Sequence, residues 1–117
     1  GVGGLLLYPV IGDWVFELSV GYLMQHVNSQ CRVNSSYMLT ITDKNKNILI
    51  DAAGGRVNVS FGENPAADVI CRMDKDTFDK LIDGRSSFHK AFMTGEMTAR
   101  GNLKTLRMLD ELFTFTA

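Results

Sequence analysis

The spacing of apolar residues along this chain changes twice, and this change limits the fold more than any other feature. Between residues 37 and 73, apolar and polar side chains alternate, which is the pattern of strands with one buried face. Four segments carry the pattern: 37–42, 48–52, 57–61 and 68–73. Polar and glycine-containing turns join the first three segments, which predicts an antiparallel meander. The fourth strand places Val69, Cys71 and Met73 on one face.

Helical spacing follows the strands, and a capping residue marks each helix start. Asp74 or Asp76 can cap a first helix that carries Phe78, Leu81 and Ile82 at i, i+3 and i+4. Three further elements are predicted: a short helix from Ser86 or Ser87 to Gly95, a strand over 96–100, and a last helix over 103–113 capped by Asn102.

The order of these elements predicts the fold class. With an amphipathic helix over about residues 12–28, the order is α-β-β-β-β-α-α-β-α. We therefore expect a single α+β domain over residues 1–117, with a five-stranded, mostly antiparallel sheet covered on one face by helices.

The first 31 residues are apolar and contain no Lys or Arg. They lack the positive start and the small-residue cleavage site of a signal peptide. Pro9, Asp13 and Glu17 interrupt the apolar run, so we expect no transmembrane segment. Two interpretations remain: a buried amphipathic helix, or a surface over residues 5–27 that docks onto a second copy of the chain or onto another domain.

Charge and motif content exclude several functions. The net charge is −1 and no basic run is present, which argues against nucleic-acid binding. Cys31 and Cys71 form no CxxC pair, and we expect reduced thiols in a cytoplasmic protein. No metal-ligand, phosphate-binding or nucleophile motif occurs, so no metal, cofactor or catalytic residue is predicted.

An enzyme remains an alternative only if a polar constellation lies inside the protein. The residues that could supply such a constellation are Tyr37, Arg72, His89 and Arg100.

The last 40 residues are rich in Phe, Leu and Met. In the final helix, Met108 and Leu112 fall beside the main apolar stripe, so the helix is expected to be apolar across a wide arc. This surface either fills an ordinary core or lines a cavity for an apolar guest, to which flexible methionines conform well. Periodicity leaves both interpretations open.

The stretch 67–113 resembles the C-terminal half of the sterol carrier protein 2 (SCP2-type) family. The matching features are the "AD" at 67–68, the acid-rich cap before Phe78, the segment "KAFMTGEMTARGN" at 90–102, and a closing Leu-rich helix. The upstream meander follows the family's order, so the resemblance covers about residues 37–113. Residues 1–31 match the family only loosely.

The resemblance implies a non-catalytic protein that binds and transfers a hydrophobic ligand. Fatty acids, acyl-CoA or other extended lipids would lie in a tunnel between sheet and helices. The residues that the resemblance assigns to the tunnel wall are Phe78, Leu81, Ile82, Phe88, Phe92, Met93, Met97, Leu103, Leu106, Leu109 and Phe113. The alternative is an accessory or interaction module of a larger enzyme or complex, docked through its apolar N-terminus.

Overall fold

Five strands form one mixed sheet in the order β3-β2-β1-β4-β5. The structure is a computed structural model, and it describes residues 20–28 and 30–114. The elements are α1 (helical over residues 20–25), β1 (Ser35–Ile41), β2 (Lys46–Ala53), β3 (Arg56–Phe61), β4 (Val69–Met73), α2 (Lys75–Ile82), α3 (Phe88–Thr94), β5 (Met97–Gly101) and α4 (Leu103–Leu112).

The predicted meander is confirmed. β1 pairs antiparallel with β2, and β2 pairs antiparallel with β3. β4 then enters on the other side of β1 in parallel, and β5 adds antiparallel to β4. The sheet is therefore mostly antiparallel, with one parallel pair at its centre.

Alternating side chains give the sheet one fully buried face. Tyr37, Leu39 and Ile41 of β1 are at most 1% exposed, and Val69 and Cys71 of β4 are equally buried. This confirms the strand faces that the alternation predicts. The opposite face carries polar residues together with a partly exposed apolar row. In this row, Met38 of β1 pairs with Leu49 of β2 and with Ile70 of β4.

The helix caps are those that the sequence predicts, with the open choices now decided. The Asp74 side chain accepts a hydrogen bond from the Thr77 backbone N–H at the start of α2. Ser87 caps α3 through the Lys90 N–H, and Asn102 caps α4. Element ends differ from the predicted ones by one or two residues, since strand and helix ends are set by local pairing and fraying.

The last helix corrects one expectation. Leu112 is completely buried in the core, so it does not lie outside the apolar face of α4. Leu103 lies on the opposite side and is 49% exposed. The buried face is formed by Leu106, Leu109 and Leu112, with Met108 partly buried at its edge. This is an ordinary stripe rather than an unusually wide one.

The end of α1 is tied to the end of α4. Val27 and Phe113 form an isolated antiparallel bridge, and the Asn28 N–H donates to the Leu112 carbonyl at 2.7 Å. Leu23 of α1 is fully buried in the same core. Of the predicted helix over 12–28, residues 20–25 are helical, and residues 12–19 lie outside the described part of the chain. None of the helices in the described part is long and apolar enough to span a membrane.

Candidate functional site

The residues predicted to line a tunnel divide into two groups. Most of them lie in the layer between sheet and helices. Seven are buried, with at most 3% exposure: Phe78, Leu81, Phe88, Met97, Leu106, Leu109 and Phe113. Ile82 and Phe92 are partly buried against the same core. Met93 and Leu103 lie on the surface, with 67% and 49% exposure.

Asp110 of α4 connects this helix with the start of α3. One carboxylate oxygen accepts the Phe88 N–H at 2.7 Å, and the other accepts the His89 N–H at 3.0 Å. Both N–H groups belong to the first turn of α3, which has no intrahelical partners for them. Asp110 therefore fixes the start of α3 against α4. The apolar pattern of the last helix did not single out Asp110; the signal that could have indicated this role is a carboxylate directly beside Leu109 of the apolar stripe.

We expect Asp110→Ala to lower the free energy of unfolding by about 2 kcal/mol, because two charge-assisted hydrogen bonds are lost. Glu111→Ala removes the neighbouring, exposed carboxylate and should change the unfolding free energy by less than about 0.5 kcal/mol. Chemical denaturation of both variants measures the difference. Equal effects of the two substitutions would contradict the capping role.

Two surface pockets flank α4 and share one wall. The first has a volume of about 510 Å³, and the second about 480 Å³. The first is lined by Ser87, His89, Lys104, Arg107, Met108, Asp110 and Glu111. The second is lined by Asn28, Gln30, Cys31, Arg32, Met108, Asp110, Glu111 and Thr114. Most of the residues that line each pocket are polar or charged, and Met108 is the apolar side chain that they have in common.

His89 is the unusual member of the first pocket. Its Nδ1 atom is buried and has no hydrogen-bond partner among the described residues. Buried polar atoms without a partner are uncommon in folded proteins and call for a specific explanation. The sequence carries no signal for this environment, because His89 belongs to no recognisable motif.

The four residues considered for an enzymatic site are not brought together. Tyr37 points into the core, where its hydroxyl donates to the Thr105 carbonyl at 2.8 Å. Burial raises the pKa of Tyr37 to about 12, which keeps the phenol neutral. In the ladder between β4 and β5, Arg72 lies opposite Thr98 and Arg100 lies opposite Ile70. Both arginines are therefore on the outer face of the sheet, away from the core. His89 lies on α3 and lines the first pocket, whose lining includes neither arginine.

The two cysteines are free and differ in environment. Cys71 is fully buried, and burial raises its pKa to about 12. Cys31 is partly exposed at the second pocket; burial, and then the negative charge of Glu111, raise its pKa. Both thiols are therefore protonated at neutral pH and are poor nucleophiles. No group of three or more potential metal ligands occurs among residues 20–28 and 30–114.

Comparison with protein families identifies the fold. Residues 27–114 match the model of the SCP-2 sterol transfer family. The chain belongs to this family. The match confirms the resemblance found in the sequence and extends it upstream to the end of α1. No curated protein sequence matches this SCP-2 family chain.

Solved structures with the same fold occur both as separate chains and within larger ones. SCP2-like 2 from Aedes aegypti has a TM-score of 0.65 at 12% identity, and the match covers 88% of this chain and 97% of that one. The ubiquinone synthesis protein UbiJ-SCP2 has a TM-score of 0.61 at 13% identity, with 89% and 93% covered.

The sec-alkylsulfatase Pisa1 from Pseudomonas sp. has a TM-score of 0.69 at 20% identity. The match covers 81% of this chain but spans only 16% of the alkylsulfatase. At identities this low, the three likenesses establish the α+β SCP2-like fold.

Proposed function

We propose that the chain binds a hydrophobic ligand without catalysing a reaction on it, and that it can transfer this ligand. The ligand would be a fatty acid, an acyl-CoA or another extended lipid. Membership of the SCP-2 sterol transfer family over residues 27–114 is the observation that carries the proposal. The apolar layer between sheet and helices supports it, because most of the expected wall residues lie there.

Burial of the ligand's alkyl chain would supply the binding energy. Each buried methylene contributes about 0.8 kcal/mol, so a long chain reaches micromolar affinity after the entropy of association is subtracted. Phe78, Leu81 and Leu109 would contact the middle of such a chain, since they are buried where α2 and α4 face the sheet. Met93 and Leu103 are exposed and would meet a ligand only at an opening of the tunnel.

Lipid binding is tested by native mass spectrometry and by displacement of a fluorescent fatty acid. The expected result is copurified lipid, together with saturable micromolar binding of the probe. A chain that carries no lipid and does not bind the probe would refute the proposal.

Two isoleucines provide a matched pair for placing the ligand. Ile82 lies on α2 against the core, whereas Ile70 lies on the outer face of β4, and both are partly buried. Ile82→Ala should weaken probe binding by about fivefold, which is the loss of roughly 1 kcal/mol of apolar contact. Ile70→Ala should leave probe binding unchanged. The opposite ranking would place the ligand on the other face of the sheet.

A second function is favoured by the match to the alkylsulfatase, in which the same fold occupies a small share of a larger chain. In this alternative the protein is an accessory module that docks through residues 5–27. Residues 20–27 are described, and among them Met24 of α1 is 47% exposed. Light scattering after size exclusion distinguishes the two functions, because a lipid carrier is expected to be monomeric and a docking module to self-associate or bind its partner domain.

A cytoplasmic location forms part of the proposal. Cys31 and Cys71 are not joined in a disulfide. Free thiols persist in reducing compartments and are uncommon in small secreted domains.

A further inference from the structure

The apolar layer that is expected to hold the ligand is closely packed between α4 and the sheet. Leu106 and Leu109 of α4 are at most 1% exposed, and so is Tyr37 on the facing strand β1. The two pockets beside α4 do not reach this layer, since no strand residue is among the residues that line them. Protein interiors are packed as densely as organic crystals. An alkyl chain can therefore enter between α4 and the sheet only if the two separate.

A hydrogen bond from Tyr37 opposes this separation. Its hydroxyl donates to the Thr105 carbonyl of α4 at 2.8 Å, although the two residues are 68 positions apart in the chain. Within residues 20–28 and 30–114, no other hydrogen bond joins a strand residue to α4. Burial raises the pKa of Tyr37 to about 12, so the hydroxyl keeps the proton that it donates.

The two ends of α4 are held differently. The C-terminal end is tied to the end of α1 by a backbone hydrogen bond from the Asn28 N–H to the Leu112 carbonyl at 2.7 Å. At the N-terminal end, the first residue, Leu103, is 49% exposed, and Thr105 is the third residue of the helix. The bond from Tyr37 thus acts at the end of α4 where the described residues show no backbone tie to α1. This end can leave the sheet with the fewest broken bonds.

We propose that the hydrogen bond between Tyr37 and Thr105 is a latch on this layer: it holds the N-terminal half of α4 against the sheet and breaks when an alkyl chain enters. The inference rests on the proposed lipid binding and names the contact that opposes it. A bond made only in the closed form lowers the affinity for a ligand that requires the open form. Removal of the hydroxyl should therefore destabilise the fold and strengthen ligand binding, whereas loss of a purely structural bond would give no gain in affinity.

The experiment uses Tyr37→Phe, which removes the hydroxyl and keeps the buried ring. Ser36→Ala is the matched control, because it removes a hydroxyl from the preceding residue of β1, on the opposite face of the sheet. The Ser36 hydroxyl accepts the Asp68 N–H at 3.1 Å, so the control also loses a hydrogen bond between distant parts of the chain. Both variants are expected to unfold at lower urea concentrations than the native chain, and circular dichroism verifies that they are folded without urea.

The fluorescent fatty acid cis-parinaric acid is titrated into the three proteins. Tyr37→Phe is expected to bind it about fivefold more tightly than the native chain, which corresponds to one hydrogen bond of about 1 kcal/mol. Ser36→Ala should bind the probe as the native chain does. Equal or weaker binding by Tyr37→Phe, or the same gain in Ser36→Ala, would overturn the inference.

Amide hydrogen exchange followed by NMR tests the latch without a ligand. The Leu106 N–H donates to the Asn102 carbonyl in the first turn of α4, so its exchange reports the opening of this end. Relative to the amides of β2, this exchange should be about fivefold faster in Tyr37→Phe and unchanged in Ser36→Ala. An unchanged rate in Tyr37→Phe would contradict the latch. If exchange responds as expected but none of the three proteins binds the probe, the proposed lipid binding itself is refuted, and the bond is a structural tie rather than a latch.

Discussion

Gly101→Ala is expected to lower the free energy of unfolding by about 3 kcal/mol or more, because the substitution combines backbone strain with a steric overlap. Gly101 ends β5 with φ of +119°, a conformation that residues with a Cβ atom rarely adopt. A Cβ atom at this position would lie 2.2 Å from the Asp68 carbonyl oxygen and 3.1 Å from the Cα atom of Val69. Gly101 also pairs with Val69 in the ladder between β5 and β4, so neither backbone can withdraw without breaking the pairing.

Gly95→Ala is the matched control for Gly101→Ala. Gly95 ends α3 with φ of +82°, but an added Cβ atom would meet nothing within 4 Å. This substitution isolates the strain of the left-handed backbone, about 1 kcal/mol. Urea denaturation of the two variants compares them directly. If both lost the same stability, the close approach of β5 to residue 68 would not exist in solution.

Local features of the fold could be predicted because their causes lie within a few residues. Tyr37, Leu39 and Ile41 alternate with less buried neighbours, and the side-chain period of a strand places all three on one face. Asp74 and Asn102 cap helices because their short side chains reach backbone N–H groups two or three residues later. Neither property depends on distant parts of the chain.

The pairing of β1 with β4 could not be derived from alternation. The pattern shows which side chains of a strand are buried, but it does not show which strand lies beside it. Residues 37 and 69 become neighbours only because the β2–β3 hairpin occupies the other side of β1. The resemblance to the SCP2-type family implied the overall fold, whereas the alternation alone gave no strand order.

The orientation of α4 shows a second limit of sequence patterns. Leu103 and Leu112 are nine residues apart, so at about 3.6 residues per turn they point in opposite directions. A stripe with apolar residues at every third position therefore drifts around the helix, and one end must leave the core. Packing buries Leu112 and exposes Leu103. Lys104 and Arg107, the cations that line the first pocket, were also not predicted to line a site. Lys and Arg on an exposed helix face are common, so their presence in the sequence does not indicate a pocket.

Leu109→Ala is expected to lower the free energy of unfolding by about 3 to 4 kcal/mol, through lost burial and the cavity left behind. Leu109 is 0% exposed, and it lies at the centre of the buried face of α4. Leu103→Ala makes the same change on the exposed side of the helix and should alter stability by less than about 0.5 kcal/mol. Denaturant titrations of both variants test the orientation of α4, and equal losses would contradict it.

The same pair of variants connects the core to the proposed ligand. A lipid that binds only the folded chain raises its stability by RT ln(1 + [L]/Kd), so a variant with weaker binding gains less from the same lipid concentration. If the alkyl chain lies against Leu109, the stabilisation by hexadecanoic acid should change in Leu109→Ala and stay constant in Leu103→Ala. If hexadecanoic acid stabilised Leu109→Ala as much as it stabilises the native chain, the cavity made by the substitution would not be part of the ligand's surroundings. The alkyl chain would then lie away from the centre of α4.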